Sequence, residues 1–253
     1  MSDQDQKPHG NADYPWTKFD SEAYFSHYYR ELHPDDIEVI QRTVAALKAA
    51  RPAGDRLSCV DVGTGPNLFP LLAAMPRAAQ VTAWEYAPTN IEWLRNEMTA
   101  PEMRRQLREF WDVIRQAWRP DYDLPAHPYP ALQAKAALHQ GSIFDLPARQ
   151  WDAGTMFFCA DSITQKMDEF ERACTAYARS VKAGGTLACA FLLRSGGYEV
   201  AGQPFPVLRL TTPDVTAIFE KLAADLETHE IGMVEEEIRS GYLGMLFVTG
   251  RAR

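Results

Sequence analysis

Between residues 57 and 193 short apolar runs alternate with stretches of helical spacing. That alternation restricts a chain to one architecture, a parallel sheet wrapped by helices. The runs predict strands over 57–62, 80–84, 136–140, 152–159 and 186–193, with helices near 67–74 and 88–98 and over 168–181. Lys182-Ala183-Gly184-Gly185 supplies a glycine stop, and the unbroken apolar run Thr186 to Leu193 suits a strand buried on both faces. The tail departs from the scheme. A helix over 213–227 is followed by strand-like segments at 229–236 and 243–250, joined around Ser240-Gly241, so the last strand is expected to insert antiparallel. The fold class is therefore α/β, mostly parallel, with helices on both faces.

Three stretches lie outside this repeat. Residues 1–16 are polar and are expected to form a flexible arm unless a ligand or the domain orders them. Residues 17–50 read as a helical cap, first through Tyr24, Phe25, Tyr28 and Tyr29, then through Ile37, Ile40, Val44 and Leu47 behind an Asp35-Asp36 N-cap. Residues 101–130 contain a helical stretch, Met103 to Trp118, and a Pro/Tyr/Asp run where the sheet needs only a short loop. Such a segment is a lid-like insertion or a surface decoration.

With 253 residues, 46% of them apolar, the chain reads as a single elaborated domain over 1–253. A formal net charge of −8 argues against a sequence-independent grip on nucleic acid, so a small-molecule partner is expected. Cysteines 59, 159, 174 and 189 have no C-x-x-C spacing, and neither disulfides nor a metal site is expected. The polar start and the lack of any membrane-length apolar stretch make a cytoplasmic protein the expectation. Composition leaves the oligomeric state open.

The chemistry-bearing motif follows the first strand. Asp61-Val62-Gly63-Thr64-Gly65-Pro66 carries glycines where a strand turns into a helix, letting the backbone take positive φ and approach a ligand. A dinucleotide site would need glycine or alanine at position 68, which is leucine. The second strand ends in Glu85, whose carboxylate can accept from two ribose hydroxyls. An adenosine seat without a pyrophosphate clamp fits S-adenosylmethionine; the alternative is a turn with a structural glycine pair. Parallel sheets bind ligands beyond the carboxyl ends of their strands, which nominates 61–67, 85–90, 142–145, 159–164 and 194–198.

Phe19-Asp20-Ser21-Glu22-Ala23-Tyr24-Phe25-Ser26-His27-Tyr28-Tyr29, the glycine loop, and Trp84-Glu85-Tyr86-Ala87-Pro88-Thr89-Asn90 together resemble the nicotinamide, phenylethanolamine and thioether methyltransferase family. The likeness extends from about residue 17 to the end, with the insertion and the Lys-Ala-Gly-Gly turn in the family's order. It implies a class I methyltransferase with a Rossmann-like sheet, an N-terminal helical lid and S-adenosylmethionine as cofactor. Tyr24 and Tyr29 would close over the cofactor, with Gly63, Thr64, Gly65 and Pro66 along its methionine part. Glu85 would take the ribose hydroxyls, with Asn90 on the ribose or adenine side. Ser142 and Ile143 would border the adenine, serine replacing the family's acid, and Tyr86 and Cys159 would complete that wall. Tyr198 matches a tyrosine on the acceptor side.

Phe191 marks a departure. Family members tend to present a carboxylate at the end of the fifth strand, where this chain reads Phe191-Leu192-Leu193. Phe191, Arg194 and Tyr198 are the expected acceptor-facing residues, with Tyr198 and Asp161 as catalytic candidates; Arg194 would favour a carboxylate-bearing acceptor. The expected activity is methyl transfer to a small molecule at nitrogen. The alternatives are another alkylation, such as cyclisation with loss of methylthioadenosine, or cofactor binding without catalysis.

Overall fold

A computed structural model describes residues 9–51, 56–233 and 243–253. Helices α1 (Ser21–Tyr28) and α2 (Pro34–Lys48) precede β1 (Leu57–Val62), α3 (Phe69–Ala74), β2 (Ala78–Glu85) and α4 (Pro88–Met98). Then come α5 (Arg105–Trp118), α6 (Tyr129–Lys135), β3 (Ala136–Gln140), β4 (Trp151–Phe157), α7 (Met167–Ser180) and β5 (Val181–Leu192). A hairpin of β6 (Tyr198–Val200) and β7 (Gln203–Phe205) leads to α8 (Thr212–Leu222), β8 (Ala223–Ile231) and β9 (Met245–Ala252). Seven strands pair in the order β3-β2-β1-β4-β5-β9-β8, with β9 antiparallel to both neighbours. This is the class I arrangement: a mostly parallel sheet whose last strand inserts antiparallel.

The central strands fall where the apolar runs place them. The tail differs, because α8 stops at Leu222 and residues 223–231 become β8, drawn into pairing with β9. Tertiary pairing outweighs the weak helical preference of that stretch. Residues 234–236 and the expected turn at Ser240-Gly241 lie outside the described residues. At α2 the N-cap is His33, whose Nδ1 accepts from the Asp35 amide at 3.3 Å, and Pro34 takes the first helical position. Asp35 and Asp36 therefore sit inside the first turn, where both are buried.

The sheet has one apolar layer on each side. α2, α3, α4 and α5 cover one face, with Ile40, Leu72, Phe110 and Phe247 at its centre; α7 and α8 cover the other through Phe170, Tyr177, Phe191 and Phe219. α5, expected within a lid-like insertion or a surface decoration, belongs to the first layer. Leu107, Phe110, Trp111, Ile114 and Trp118 are fully buried, and the Trp118 indole donates to the Ala73 carbonyl at 3.1 Å. Its apolar residues recur at helical spacing and form one stripe, which packs against α2 and α3.

Where it is described, the arm is ordered by the domain. Residues 9–16 lie along the start of α7: the His9 carbonyl accepts from the Gln165 amide at 3.0 Å and the Asn11 amide donates to Glu169 at 2.8 Å. Trp16 then packs on Phe205, with ring centroids 5.1 Å apart. A third, small apolar cluster results, built from Phe19, Ala87, Val200 and Phe205 with Trp16, Tyr24 and Tyr198 against it. It unites the segment before α1 with the β6–β7 hairpin.

Candidate functional site

β1 lies between β2 and β4, so the chain's crossovers diverge there and leave a crevice beyond the strand ends. A cleft of about 880 Å³, open mouth included, occupies it. Gly63, at φ +68°, and Gly65, at φ +61°, form its floor after β1. A side chain on Gly63 would collide with Cys159, whereas beside Gly65 the nearest atom to a Cβ would be 3.9 Å away, so the cleft is open at that point.

Glu85 stands at the end of β2. Its Oε2 accepts from the Gly65 amide at 2.8 Å and its Oε1 from the Ala87 amide at 2.7 Å. The carboxylate is 6% exposed; burial raises its pKa, and the hydrogen bonds from Ala87 and Gly65 oppose that. Asn90, on the first turn of α4, accepts from the Ser21 hydroxyl at 2.7 Å and so ties α1 to this corner.

All twelve residues proposed from sequence for the cofactor line this one cleft. Tyr24 and Tyr29 come from the α1 segment, Gly63 to Pro66 from the loop after β1, Glu85, Tyr86 and Asn90 from the β2–α4 junction, Ser142 and Ile143 from beyond β3, and Cys159 from beyond β4. Burial, followed by Glu85, Asp161 and Asp61, pushes the Cys159 thiol well up, so it stays neutral. Asn11, Trp16, Phe19 and Phe158 also line the cleft, and sequence reasoning missed them. Phe158 holds φ +54°. That conformation costs a bulky residue about 1–3 kcal/mol and marks a site where surrounding structure fixes the backbone.

A second cavity, about 890 Å³ with its mouth, adjoins the first and shares Tyr24, Tyr29, Phe158, Ser162 and Tyr198 with it. The Tyr198 hydroxyl donates to the Ser162 carbonyl at 3.3 Å, and burial followed by the neighbouring Tyr24 raises its pKa.

Three proposed residues are not in either wall. Phe191 packs between Phe170 and Phe219 in the α7/α8 layer, with centroid distances of 5.5 and 5.7 Å. Successive strand residues face opposite ways, so it is Leu192 that reaches the second cavity. Asp161 is fully buried and its Oδ2 accepts from the Leu192 amide at 2.9 Å, which pins the end of β5; burial pushes its pKa up to about 7. Arg194 is exposed, with φ +52°.

The cleft wall contains no Lys, Arg or His among the described residues, and Glu85 is its only charge. A pyrophosphate would find no counter-charge there. A phosphate-free adenosine group bearing a positive sulfonium suits this donor set: the carboxylate for ribose, aromatic faces for the cation, and side-chain-free backbone along the loop.

The sequence model of the NNMT/PNMT/TEMT family matches residues 122–251, just over half of the chain. The chain belongs to the NNMT/PNMT/TEMT family. S-adenosylmethionine is accordingly the cofactor that the cleft of this family member accommodates. No curated protein sequence matches it. Among solved structures it is similar to the 1,6-didemethyltoxoflavin-N1-methyltransferase of Burkholderia thailandensis, with a TM-score of 0.57 and 13% identity over 98% of this chain and 92% of that one. The N-methyltransferase NodS of Bradyrhizobium japonicum gives 0.53 and 11%, over 87% and 88% of the two chains. The [4+2]-cyclase SpnF gives 0.51 and 13%, over 84% and 80%. At such identities the likeness establishes the fold. No helix among the described residues is long and apolar enough to cross a membrane, and they contain no metal-holding group of His, Cys, Asp or Glu.

Of residues 17–29, Phe25 and Tyr29 pack in the first main layer, while Phe19, Ala23 and Tyr24 join the small cluster beside the cleft. Residues 17–29 are therefore expected to gain hydrogen-exchange protection when S-adenosylhomocysteine binds, while β1 is protected with and without it. Equal exchange of 17–29 in both states would reduce Tyr24 and Tyr29 to packing residues.

Proposed function

We propose that this chain uses S-adenosylmethionine to methylate a small acceptor, at nitrogen. The observation that carries the reading is a cleft at the sheet's switch point whose one charge among the described residues is a carboxylate, sharing a wall of tyrosines with a second cavity. The preference for nitrogen comes from the family's range of activities.

When bound, the cofactor supplies an electrophilic methyl carbon on a positively charged sulfur. Glu85 and Asn90 orient the ribose, the Gly63–Pro66 turn lets the backbone lie against the methionine part, and Tyr86, Ser142 and Ile143 border the adenine. Tyr24, Tyr29 and Tyr198 line both cavities. Ring faces beside a cation contribute about 0.5–2 kcal/mol. Alignment of two bound reactants can contribute roughly 7–11 kcal/mol, so no acid or base of the chain is required for a nucleophile with a free lone pair.

Replacing Glu85 with alanine is expected to weaken S-adenosylhomocysteine binding by about 1.5–3 kcal/mol, the range for hydrogen bonds to a charged group. Because this carboxylate also holds the Gly65 and Ala87 amides, a loss of about 1–3 kcal/mol in stability should accompany it. Unchanged affinity in calorimetry would remove the ribose assignment.

A fold shared with a [4+2]-cyclase does not dictate the reaction. The second reading, alkylation without methyl transfer, is separated by its remnant. Incubation with labelled S-adenosylmethionine and a library of amines, pyridines, thiols and amino acids should leave S-adenosylhomocysteine and a labelled acceptor. Methylthioadenosine in their place would establish the rival, and tight cofactor binding without any turnover would point to a non-catalytic protein.

A further inference from the structure

We propose that Arg104, the residue before α5, is a positioning residue that clasps the tyrosine-bearing helix α1 over the cleft and sets how fast the cofactor leaves. This rests on reading the cleft as the cofactor seat. One guanidinium meets two carboxylates: its Nε donates to Glu97 on α4 at 2.6 Å and its Nη1 to Glu22 on α1 at 2.6 Å. The same group lies over the rings of Phe25, on α1, and Trp93, on α4, at 5.2 and 5.4 Å from their centroids. The other oxygen of each carboxylate is also engaged, since the Trp93 indole donates to Glu22 at 3.1 Å and the Tyr129 hydroxyl to Glu97 at 2.6 Å. Arg105 adds a bond to the Arg30 carbonyl, just past α1, at 3.1 Å.

The two halves of this bridge are unequal. The Glu97 side chain is 3% exposed and that of Glu22 55%, so the Glu97 bond is fixed inside the protein while the Glu22 bond can open to water. Arg104 leads into a helix whose apolar stripe is packed in the first layer, so the guanidinium stays in place when α1 moves. α1 has only eight residues and carries Tyr24 and, at its C-cap, Tyr29, both in the cleft wall. It is tied to the cleft by Ser21 on Asn90 and to the insertion by Glu22 on Arg104. The Arg104 hydrogen bond, working against burial, holds the Glu22 carboxyl below the usual carboxylate range, so the pair is charged at neutral pH. Bonding two carboxylates while stacking on two rings is a task for a planar fork; a lysine ammonium supplies the counter-charge without holding both partners.

The test measures release of S-adenosylhomocysteine from the whole chain by stopped flow, beside hydrogen exchange of the unliganded chain. Glu22→Gln, which keeps the side chain's length and leaves Arg104 on Glu97, is expected to speed release about threefold to tenfold. It should also speed exchange of residues 20–29 while β1 is unmoved. Arg104→Lys should act to the same extent, and the double variant should be no faster than either single one, because both substitutions remove one interaction. Glu31→Gln, at an exposed carboxylate beyond α1, should change nothing. Raising sodium chloride from about 0.05 to 0.5 M should speed release from the native chain and have far less effect on Glu22→Gln, since the half-exposed pair is screened. If Arg104→Lys does not fold, Glu22→Gln and the salt profile decide the matter. Unchanged release in Glu22→Gln, additive effects of the two substitutions, or equal salt dependence with and without Glu22 overturns the clasp. Faster exchange that extends to β1 also overturns it, reducing the bridge to a contribution to overall stability. If the native chain binds no S-adenosylhomocysteine, the cofactor reading falls, while the exchange of residues 20–29 still judges the hold on α1.

Discussion

Trp111→Ala is expected to destabilise the protein by about 3–5 kcal/mol in urea unfolding, the cost of removing a large aromatic ring from a packed interior. Trp111 is fully buried on α5 and its indole donates to the Pro125 carbonyl at 3.0 Å. Truncation leaves a cavity under α5 and an acceptor without its donor. The control is on the same helix: Asp112 is 64% exposed, so Asp112→Ala should move stability by no more than about 0.5 kcal/mol. A loss of under about 1 kcal/mol at Trp111 would mean that α5 is a detachable cover after all.

The second large effect is expected at Gly63→Ala. At φ +68° a side chain costs about 1–2 kcal/mol, and this Cβ would also be driven into Cys159, adding about 1–3 kcal/mol of overpacking. The backbone cannot retreat, because the Gly63 amide is held by the Trp84 carbonyl at 2.8 Å. Cys159→Gly in the same chain should recover the overpacking part and leave the conformational part. Gly65→Ala provides the contrast: its φ is as unfavourable but its Cβ meets nothing within 3.9 Å, so only about 1–2 kcal/mol should be lost while the methyl intrudes on the cleft. Equal costs at the two glycines, or no rescue by Cys159→Gly, would contradict the packing account.

The glycine loop and Glu85 were legible in the sequence because each is constrained locally, one by a backbone conformation and the other by its distance from a strand end. The facing of β5 was not. Thr186 to Leu193 is apolar on both faces, so nothing in its pattern says whether Phe191 or Leu192 turns toward the ligand side, and a displacement of one residue reverses the answer. α5 was legible and was misread: Leu107, Phe110, Trp111, Ile114 and Trp118 already trace a core-facing stripe. Asp36 was assigned to capping, a role that His33 takes. Asn11, Trp16 and Phe158 reach the cleft through contacts with α7, the hairpin and β5, which no local pattern encodes.

Tyr24, Tyr29, Phe158, Ser162 and Tyr198 belong to both cavities, so the two sites are not separate compartments but one partition seen from two sides. A molecule that orders this partition from one side has already met part of the ordering cost for a molecule arriving on the other. Thermodynamic reciprocity then fixes the bookkeeping: whatever factor an occupied cleft adds to affinity in the chamber, an occupied chamber must return to the cleft. On the proposed assignment of cofactor to cleft and acceptor to chamber, retention of the spent cofactor would be tied to the presence of the acceptor's product, and the departure of either would loosen the hold on the other.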